Sequence, residues 1–284
     1  MANKFTKEFK LKAVKAWFKI GGALTPRLAA RVAYGAFFIR PFRHKPLPSD
    51  LALIRTASII DLNFENHLIR GYSWGNGEKL VLLVHGWSSH ALTMRKFIPA
   101  LTDQGYTVIA FDAPSHGNSE GVKTSGLEYR RFLRQIITTY KPCAIIAHSL
   151  GGICSLCELA ELQDVDVQKV VTLAVPITST MMVYQFLKKA KLHRSAHGHF
   201  DKYIERKLGV IHNEFDLTQI YQNNIPFKGM IVHDAKDNLI PFLESIKLAK
   251  IWPQAKILTT HGLGHSGVLK DKSVVNQVVD FINE

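Results

Sequence analysis

Hydrophobic positions in much of this chain come in short unbroken runs rather than in stripes. KLVLLVHG (79–86), YTVIAFD (106–112), CAIIAHS (143–149), KVVTLAV (169–175), KGMIVHD (228–234) and AKILTTH (255–261) are each seven or eight residues long. A run of that length that is apolar on both faces predicts a central strand covered on both sides. Between the runs, apolar residues recur at helical spacing. Met94, Phe97, Ile98 and Leu101 form one helix face ended by Gly105, and Val274, Val275, Val278, Val279 and Ile282 form another. Ser125 and Glu128 make a capping box that opens LEYRRFLRQIITTY. Ahead of the first run, DLNFENHLIRGYSWGNGE (61–78) alternates and ends in a Gly-Asn-Gly turn, which predicts an antiparallel strand or hairpin. The fold class is therefore α/β, with a mostly parallel central sheet and helices on both faces.

Two segments break this alternation. Residues 177–224 contain no strand pattern and read as helices, in TSTMMVYQFLKKAKL, HFDKYIERKLGV and EFDLTQIYQNN. An insertion of that length predicts a helical cap rather than a loop. At the other end, Phe5, Phe9, Ala13, Ala16, Trp17 and Ile20 fall in one uncharged sector of a helical wheel. Most lysines lie on the other side, with Leu11, Val14 and Phe18 among them. Such a helix either lies on an anionic membrane surface or packs on its own domain, and both readings stay open. The apolar stretch that follows is interrupted by Pro26, Arg27, Arg31 and Arg40. Its longest uncharged run, Val32–Ile39, is far too short to span a membrane, and it lacks the features of a secretory signal. Its basic, acid-poor composition also allows a transit peptide. Pro41, Pro46 and Pro48 read as a linker. The expected division is a basic extension over 1–46, a core over 47–176 and 225–284, and the inserted cap over 177–224.

Charge sharpens that division. The chain carries a net +13, yet residues 1–46 hold 11 Lys and Arg against the single Glu8. The remaining body is nearly balanced, which argues against a nucleic-acid-binding surface there. Peripheral membrane contact, if any, belongs to the extension. Cys143, Cys154 and Cys157 are an odd number, so no disulfide framework is expected and the chain reads as cytoplasmic, from a reducing compartment. Cys154 and Cys157 have no second Cys/His pair at zinc spacing and read as buried inert thiols. His193, His197 and His199 have no carboxylate or cysteine of ligand spacing beside them and read as a solvated loop. No metal and no organic cofactor is expected.

The chemistry gathers around CAIIAHSLGGICSL (143–156). Ser149 stands where a predicted strand meets a predicted helix, with Ala147, Gly151 and Gly152 as small neighbours. A tight turn there needs small residues because it brings strand and helix backbones together. It also aims the first helical N–H groups at the serine. His85-Gly86-Trp87 follows the first apolar run, FDAPSHGNSEG (111–121) follows the second, and Asp234, Asp237, His261 and His265 follow later ones.

In these motifs and their order the chain resembles the α/β-hydrolase fold superfamily, in its serine-nucleophile esterase- and lipase-like branch. Ala147 departs from the family's G-x-S-x-G pattern at its first glycine. The resemblance covers about residues 70–284, apart from the cap. It implies Ser149 as nucleophile, Asp237 as acid and His265 as base, with backbone N–H groups of Trp87 and Leu150 as the oxyanion hole. Asp237, followed by Pro241, is preferred to Asp234, which then caps its turn. His265, in Gly-His-Ser, is preferred to His261. Asp112 and His116 precede the nucleophile and are read as structural, since the family's order is serine, acid, histidine. The implied activity is hydrolysis of small acyl compounds, carboxylic esters first, through an acyl-enzyme. Thioesters, amides, or a non-catalytic binding role are the alternatives, and a carbon–carbon hydrolase or cofactor-free haloperoxidase is a smaller one. Met181, Met182, Tyr184, Phe186 and Leu187 of the cap are candidates for an acyl pocket, with core packing as the other reading.

Overall fold

The computed structural model of the protein describes residues 2–39, 47–208, 215–222 and 224–284. Pro41 and Pro46 of the expected linker lie outside them. The strands are β1 (Ser58–Phe64), β2 (His67–Trp74), β3 (Leu80–Val84), β4 (Thr107–Phe111), β5 (Ala144–His148), β6 (Lys169–Leu173), β7 (Lys228–Asp234) and β8 (Lys256–Thr260). They form one sheet in the order β1-β2-β4-β3-β5-β6-β7-β8. Only β1–β2 and β2–β4 pair antiparallel; β4 through β8 run parallel. Each of the six apolar runs is thus a parallel strand, and the alternating stretch before them is the β1–β2 hairpin.

The hairpin turns at Glu65 and Asn66, both at positive φ, rather than at a glycine pair. Two-residue hairpin loops need positive φ at both positions so that the turn follows the twist of the strands. Asn66 tolerates this. Glu65 is an unusual choice, and its carboxylate meets the Arg131 guanidinium at 2.7 Å.

The helices cover both faces of the sheet. After α1 (Ala2–Leu24), α2 (Pro26–Phe38) and α3 (Pro48–Thr56) come α4 (Phe97–Thr102), α5 (Gly126–Tyr140) and α6 (Leu150–Glu161). Then follow α7 (Thr180–Ala190), α8 (His197–Leu208), α9 (Leu217–Tyr221), α10 (Leu243–Ile251), α11 (Gly264–Gly267) and α12 (Lys272–Asn283). Pro48 does not mark a linker. It opens α3, where its fixed φ and missing N–H suit the first helical position, and Asp50 accepts the Leu47 N–H at 2.7 Å.

One sheet face is built from Val81, Leu83, Val108, Ala110, Ala144, Ile146, Val171, Leu173, Met230 and Val232. It packs with Phe97, Ile98 and Leu101 of α4 and the valines of α12. The opposite face carries α5, through Phe132 against Phe111, and α6, whose Gly151 lies against Val84. Arg130 joins α5 to Glu158 of α6 at 2.6 Å, with both side chains nearly out of solvent, and Arg134 meets the same carboxylate at 2.8 Å. Breaking such a pair would leave an uncompensated buried charge.

The chain divides into two compact units, one of Met1–Ile39 with Thr178–Glu214, the other of Arg40–Ile177 with Phe215–Glu284. The inserted segment is therefore shared out. Phe215 and α9 belong with the sheet, where the Tyr221 hydroxyl donates to the Leu156 carbonyl at 2.6 Å and the Arg130 guanidinium sits over the Phe215 ring.

The helical unit has its own core of Phe18, Ala29, Ala30, Ala33, Val183, Leu187, Leu192, Ala196, Phe200 and Ile204. Helices α1 and α2 thus pack with α7 and α8. On α1 the inward residues are Phe18 and Gly22, while Ala13, Ala16, Trp17 and Ile20 of the uncharged sector are exposed. The side chains of Phe5 and Phe9 lie outside the described residues. His193 and His197 fasten local structure. His193 bonds the Ser195 hydroxyl, Ser195 in turn donates to the Gly22 carbonyl at 2.7 Å, and His197 Nε2–H donates to the Leu192 carbonyl. Among the described residues no group of His, Cys, Asp and Glu is arranged to hold a metal ion.

The sheet leaves no room at Gly229, where an added Cβ would lie 2.3 Å from the buried Trp252 indole. Gly229→Ala is expected to cost about 1–3 kcal/mol by overpacking. Gly198→Ala, in α8 with open space around it, is expected to be neutral or to stabilise by up to about 1 kcal/mol. Urea unfolding of the two variants beside the parent checks both.

Candidate active site

The parallel strands bring their C-terminal ends to one edge of the sheet, and the segments leaving β3, β5, β7 and β8 carry Trp87, Ser149, Leu150, Asp234, Asp237, His261 and His265. Strand β5 lies between β3 and β6, with Val84 opposite Ala147 on one side and Leu173 opposite His148 on the other. All five of its residues are buried. Ser149 follows at φ 52° and ψ −122°, a backbone conformation that costs a serine about 1–3 kcal/mol. Its N–H donates to the Leu173 carbonyl at 3.0 Å, and its own carbonyl accepts the Gly152 N–H at 3.0 Å.

The small neighbours are required on both sides of this turn. A Cβ at Gly151 would sit 2.4 Å from the His85 carbonyl oxygen, and one at Gly152 would sit 2.2 Å from Val175. Gly86 on the facing loop has the same restriction, since its Cβ would come 3.1 Å from the Cβ of Ser149. The loop after β3 thus lies against the serine turn. The Leu150 N–H belongs to the first turn of α6, whose N–H groups have no partner within the helix.

Two histidines and a tyrosine hold the loop after β3. His85 Nε2 accepts the Ala113 N–H at 3.0 Å while Nδ1–H donates to the Gly86 carbonyl at 2.7 Å. The Tyr129 hydroxyl donates to the His85 carbonyl at 2.8 Å. His116 Nε2 accepts the Ser88 N–H at 3.2 Å, and its Nδ1–H donates to the Pro114 carbonyl at 2.9 Å. One ring nitrogen of each must accept, so both rings are neutral. Burial first, and the nearby His116 second, push the His85 pKa well below its ordinary value. The Trp87 ring stands edge-on to His116 at 5.5 Å. Asp112 accepts the Ala91 and Asn118 N–H groups at 2.7 and 2.8 Å. Asp112 and His116 are both occupied with fixing loops.

The loop after β7 holds the acids. Asp237 Oδ1 accepts the N–H groups of Leu239 and Ile240 at 2.7 and 3.0 Å, and Oδ2 accepts His265 Nδ1–H at 2.7 Å. Burial would raise the Asp237 pKa, but the donors around it, His233 and His265 foremost, hold it well below the ordinary carboxylate range. Asp234 instead ties down the loop that carries His265. Its oxygens accept from the Lys236, Gly262 and Leu263 N–H groups and from the Thr260 hydroxyl, at 2.8–3.2 Å. Burial opposes ionisation of Asp234 as well; the Thr260 hydroxyl and backbone donors outweigh it and bring the pKa to about 2.

Two further histidines touch this arrangement and escaped notice in the sequence. His148 Nε2–H donates to the His265 carbonyl at 3.0 Å, and the two rings lie 4.7 Å apart. Burial, then the charge of His265, pushes its pKa down to about 3. His233, fully buried, donates to the Ile240 carbonyl at 3.0 Å and places Nε2 3.5 Å from Asp237 Oδ2. Both sit inside apolar strand runs, where a histidine reads as core. The structure therefore brings His265 and Asp237 into direct contact and sets the His265 ring beside the residue that precedes Ser149. Of the cap residues, Phe186 packs on Phe37 and Phe200 within the helical unit, Tyr184 is exposed, and Met181 and Met182 are half-buried.

The family model for the alpha/beta hydrolase family matches residues 81–277. The chain belongs to that family. Within the alpha/beta hydrolases, an uncharacterized hydrolase of Bacillus subtilis, YugF, is 36% identical over 85 residues. That match spans 28% of this chain and 31% of the relative. Among solved structures, the Pyrococcus furiosus esterase Pf2001 superposes with a TM-score of 0.65 at 20% identity, covering 85% of this chain and 96% of that one. A thioesterase domain from the curacin biosynthetic pathway superposes at 0.58 and 16% identity, covering 78% of this chain and 99% of that one. At these identities the two structures share the fold. This alpha/beta hydrolase carries free thiols only: Cys154 and Cys157 are buried, and burial pushes Cys157 up to about 12 against the opposing pull of Arg130.

Asp234 gives the acid limb of stability its sign. Its pKa falls from 3.8 to about 2 on folding, so its contribution is complete above about pH 4 and is lost as the pH drops through 2. Asp234→Ala is expected to be less stable at neutral pH and to lose less further stability between pH 4 and 2, as read from denaturant unfolding across that window.

Proposed function

We propose that the chain is a serine hydrolase of small acyl compounds, carboxylic esters first. The observation that carries this reading is the 2.7 Å bond from His265 Nδ1–H to a buried, ionised Asp237, with the His265 ring 4.7 Å from that of His148, the residue before a serine on a strained strand-to-helix turn. The bond leaves the Nε2 side of His265 as the basic one. In the mechanism, His265 takes the Ser149 proton as the hydroxyl oxygen attacks the acyl carbonyl. Asp237 orients the ring and stabilises its protonated form. Backbone N–H groups of Trp87 and Leu150 receive the oxyanion, and fixed donors of that kind stabilise it without reorganisation. His265 then protonates the leaving alcohol. Water, deprotonated by the same nitrogen, releases the carboxylic acid and restores Ser149.

In this reading Asp234, His85 and His116 are positioning residues, since each acts by holding a loop. No metal or organic cofactor takes part in the proposed steps, and the substrate is the only partner they require. The three reduced thiols fit the cytoplasm.

Ser149→Ala is expected to lower kcat/KM for p-nitrophenyl esters by at least about 10³-fold, and His265→Ala by a similar factor. An acetate-to-palmitate series on the parent protein would size the acyl site. Full activity in Ser149→Ala would remove the nucleophile assignment. A parent inactive on every ester but active on thioesters or amides would move the substrate class, and inactivity on all three would favour a binding role.

A further inference from the structure

The helical unit leaves bare a surface that its own core does not use. On α1, Val14, Trp17, Ile20 and Leu24 are 48, 40, 62 and 77% exposed, and Ala13 is exposed beside them. At 3.6 residues per turn these positions fall in one sector about 120° wide, opposite neither core nor carboxylate. The inward sector, Phe18 and Gly22, lies next to it, and Lys15, Lys19 and Lys12 occupy the arc between them on the other side. Helix α2 repeats the pattern. Leu28 and Val32, spaced i and i+4, are 52 and 45% exposed, while Ala29, Ala30 and Ala33 face the core and Arg27 and Arg31 border the bare pair.

Two physical features select what covers this surface. A cluster of large exposed aliphatic side chains and an indole is costly to leave in water and marks an interaction site. The charged residues of α1 and α2 whose side chains are described are of one sign: Lys12, Lys15, Lys19, Arg27 and Arg31, with no acid among them. Two copies of such a face would repel each other. The indole of Trp17 lies over Gly21, where an added Cβ would come 3.2 Å from the ring, so it rests along the helix surface within the apolar sector. Indoles are enriched at the membrane–water boundary. Among the described residues no helix is long and apolar enough to cross a membrane, so the geometry calls for a helix lying in the interface.

We propose that the exposed apolar residues of α1 and α2, with Arg27 and Arg31 beside those of α2, dock on an anionic lipid bilayer. Aliphatic side chains enter the acyl boundary, and the two arginines meet lipid phosphates. The proposal does not depend on the hydrolytic reading and says nothing about which lipid the enzyme would cleave.

Co-sedimentation of the full chain with vesicles tests it. The protein should pellet with phosphatidylcholine vesicles containing phosphatidylglycerol at least about tenfold more strongly than with phosphatidylcholine alone, and less in high salt. The double variant Ile20→Ser with Leu24→Ser should lose about tenfold or more of that partitioning, since both side chains are exposed and neither serves the core. Arg27→Gln with Arg31→Gln should lose the preference for anionic vesicles. Circular dichroism and thermal unfolding check that the variants are folded. Ser149→Ala should pellet like the parent, which separates this outcome from that of the hydrolase assay. Absence of pelleting by the parent, or equal pelleting by the Ile20→Ser, Leu24→Ser variant, would overturn the proposal. A dimer that the serine pair dissolves, without lipid binding, would assign the face to a second copy and overturn it too.

Discussion

The candidate site depends on one backbone turn. Ser149 is held at φ 52° between a fully buried strand and a helix that starts at once, and a serine does not adopt that conformation unless its surroundings insist. They do so through hydrogen bonds from Ser149 N–H to Leu173 and from Gly152 N–H to Ser149, and through the absence of side chains at Gly86, Gly151 and Gly152. The packing leaves so little space that a single methyl group at Gly151 would collide with the His85 carbonyl. The strain and the crowding have the same result: the hydroxyl is carried on a rigid turn rather than a mobile loop, with first-turn N–H groups beside it.

Around that turn, histidines are used as connectors. His85, His116, His148 and His233 each bond backbone, and for His85 and His148 burial keeps the ring uncharged. Charge is concentrated instead on Asp237, whose donors hold it ionised, and a single imidazole faces it at 2.7 Å. The 2.7 Å bond to a carboxylate distinguishes His265 from the other described histidines of the site, His233 standing 3.5 Å from the same oxygen. Asp234, three residues from Asp237, spends its oxygens on the loop that carries His265, so the two acids of one turn divide positioning from pairing.

Much of this was legible in the residues because it follows from local rules. The six apolar runs are the six parallel strands, and Ser125 caps α5 through the Glu128 N–H at 3.1 Å. The hairpin turn was harder to locate, since Glu65-Asn66 lacks the glycine that usually supplies positive φ. Pro48 looked like punctuation and begins a helix. The first helix is the most instructive case. A helical wheel ranks residues by polarity but does not say which face the rest of the chain will cover. The described residues of the most uncharged sector stayed bare, and Phe18, which lies among lysines in sequence projection, became the core contact. His148 and His233 were hidden for a related reason, because a histidine inside an apolar run carries no sign of the loop it will meet.

The measurement that tests the central claim most directly is the location of a covalent adduct with a fluorophosphonate, a reagent that needs an activated serine and an adjacent oxyanion site. The account predicts one stoichiometric adduct on the native protein, mapped by peptide mass to Ser149, and its disappearance when the protein is unfolded before treatment. No adduct on the native protein, or an adduct on another residue, would contradict it.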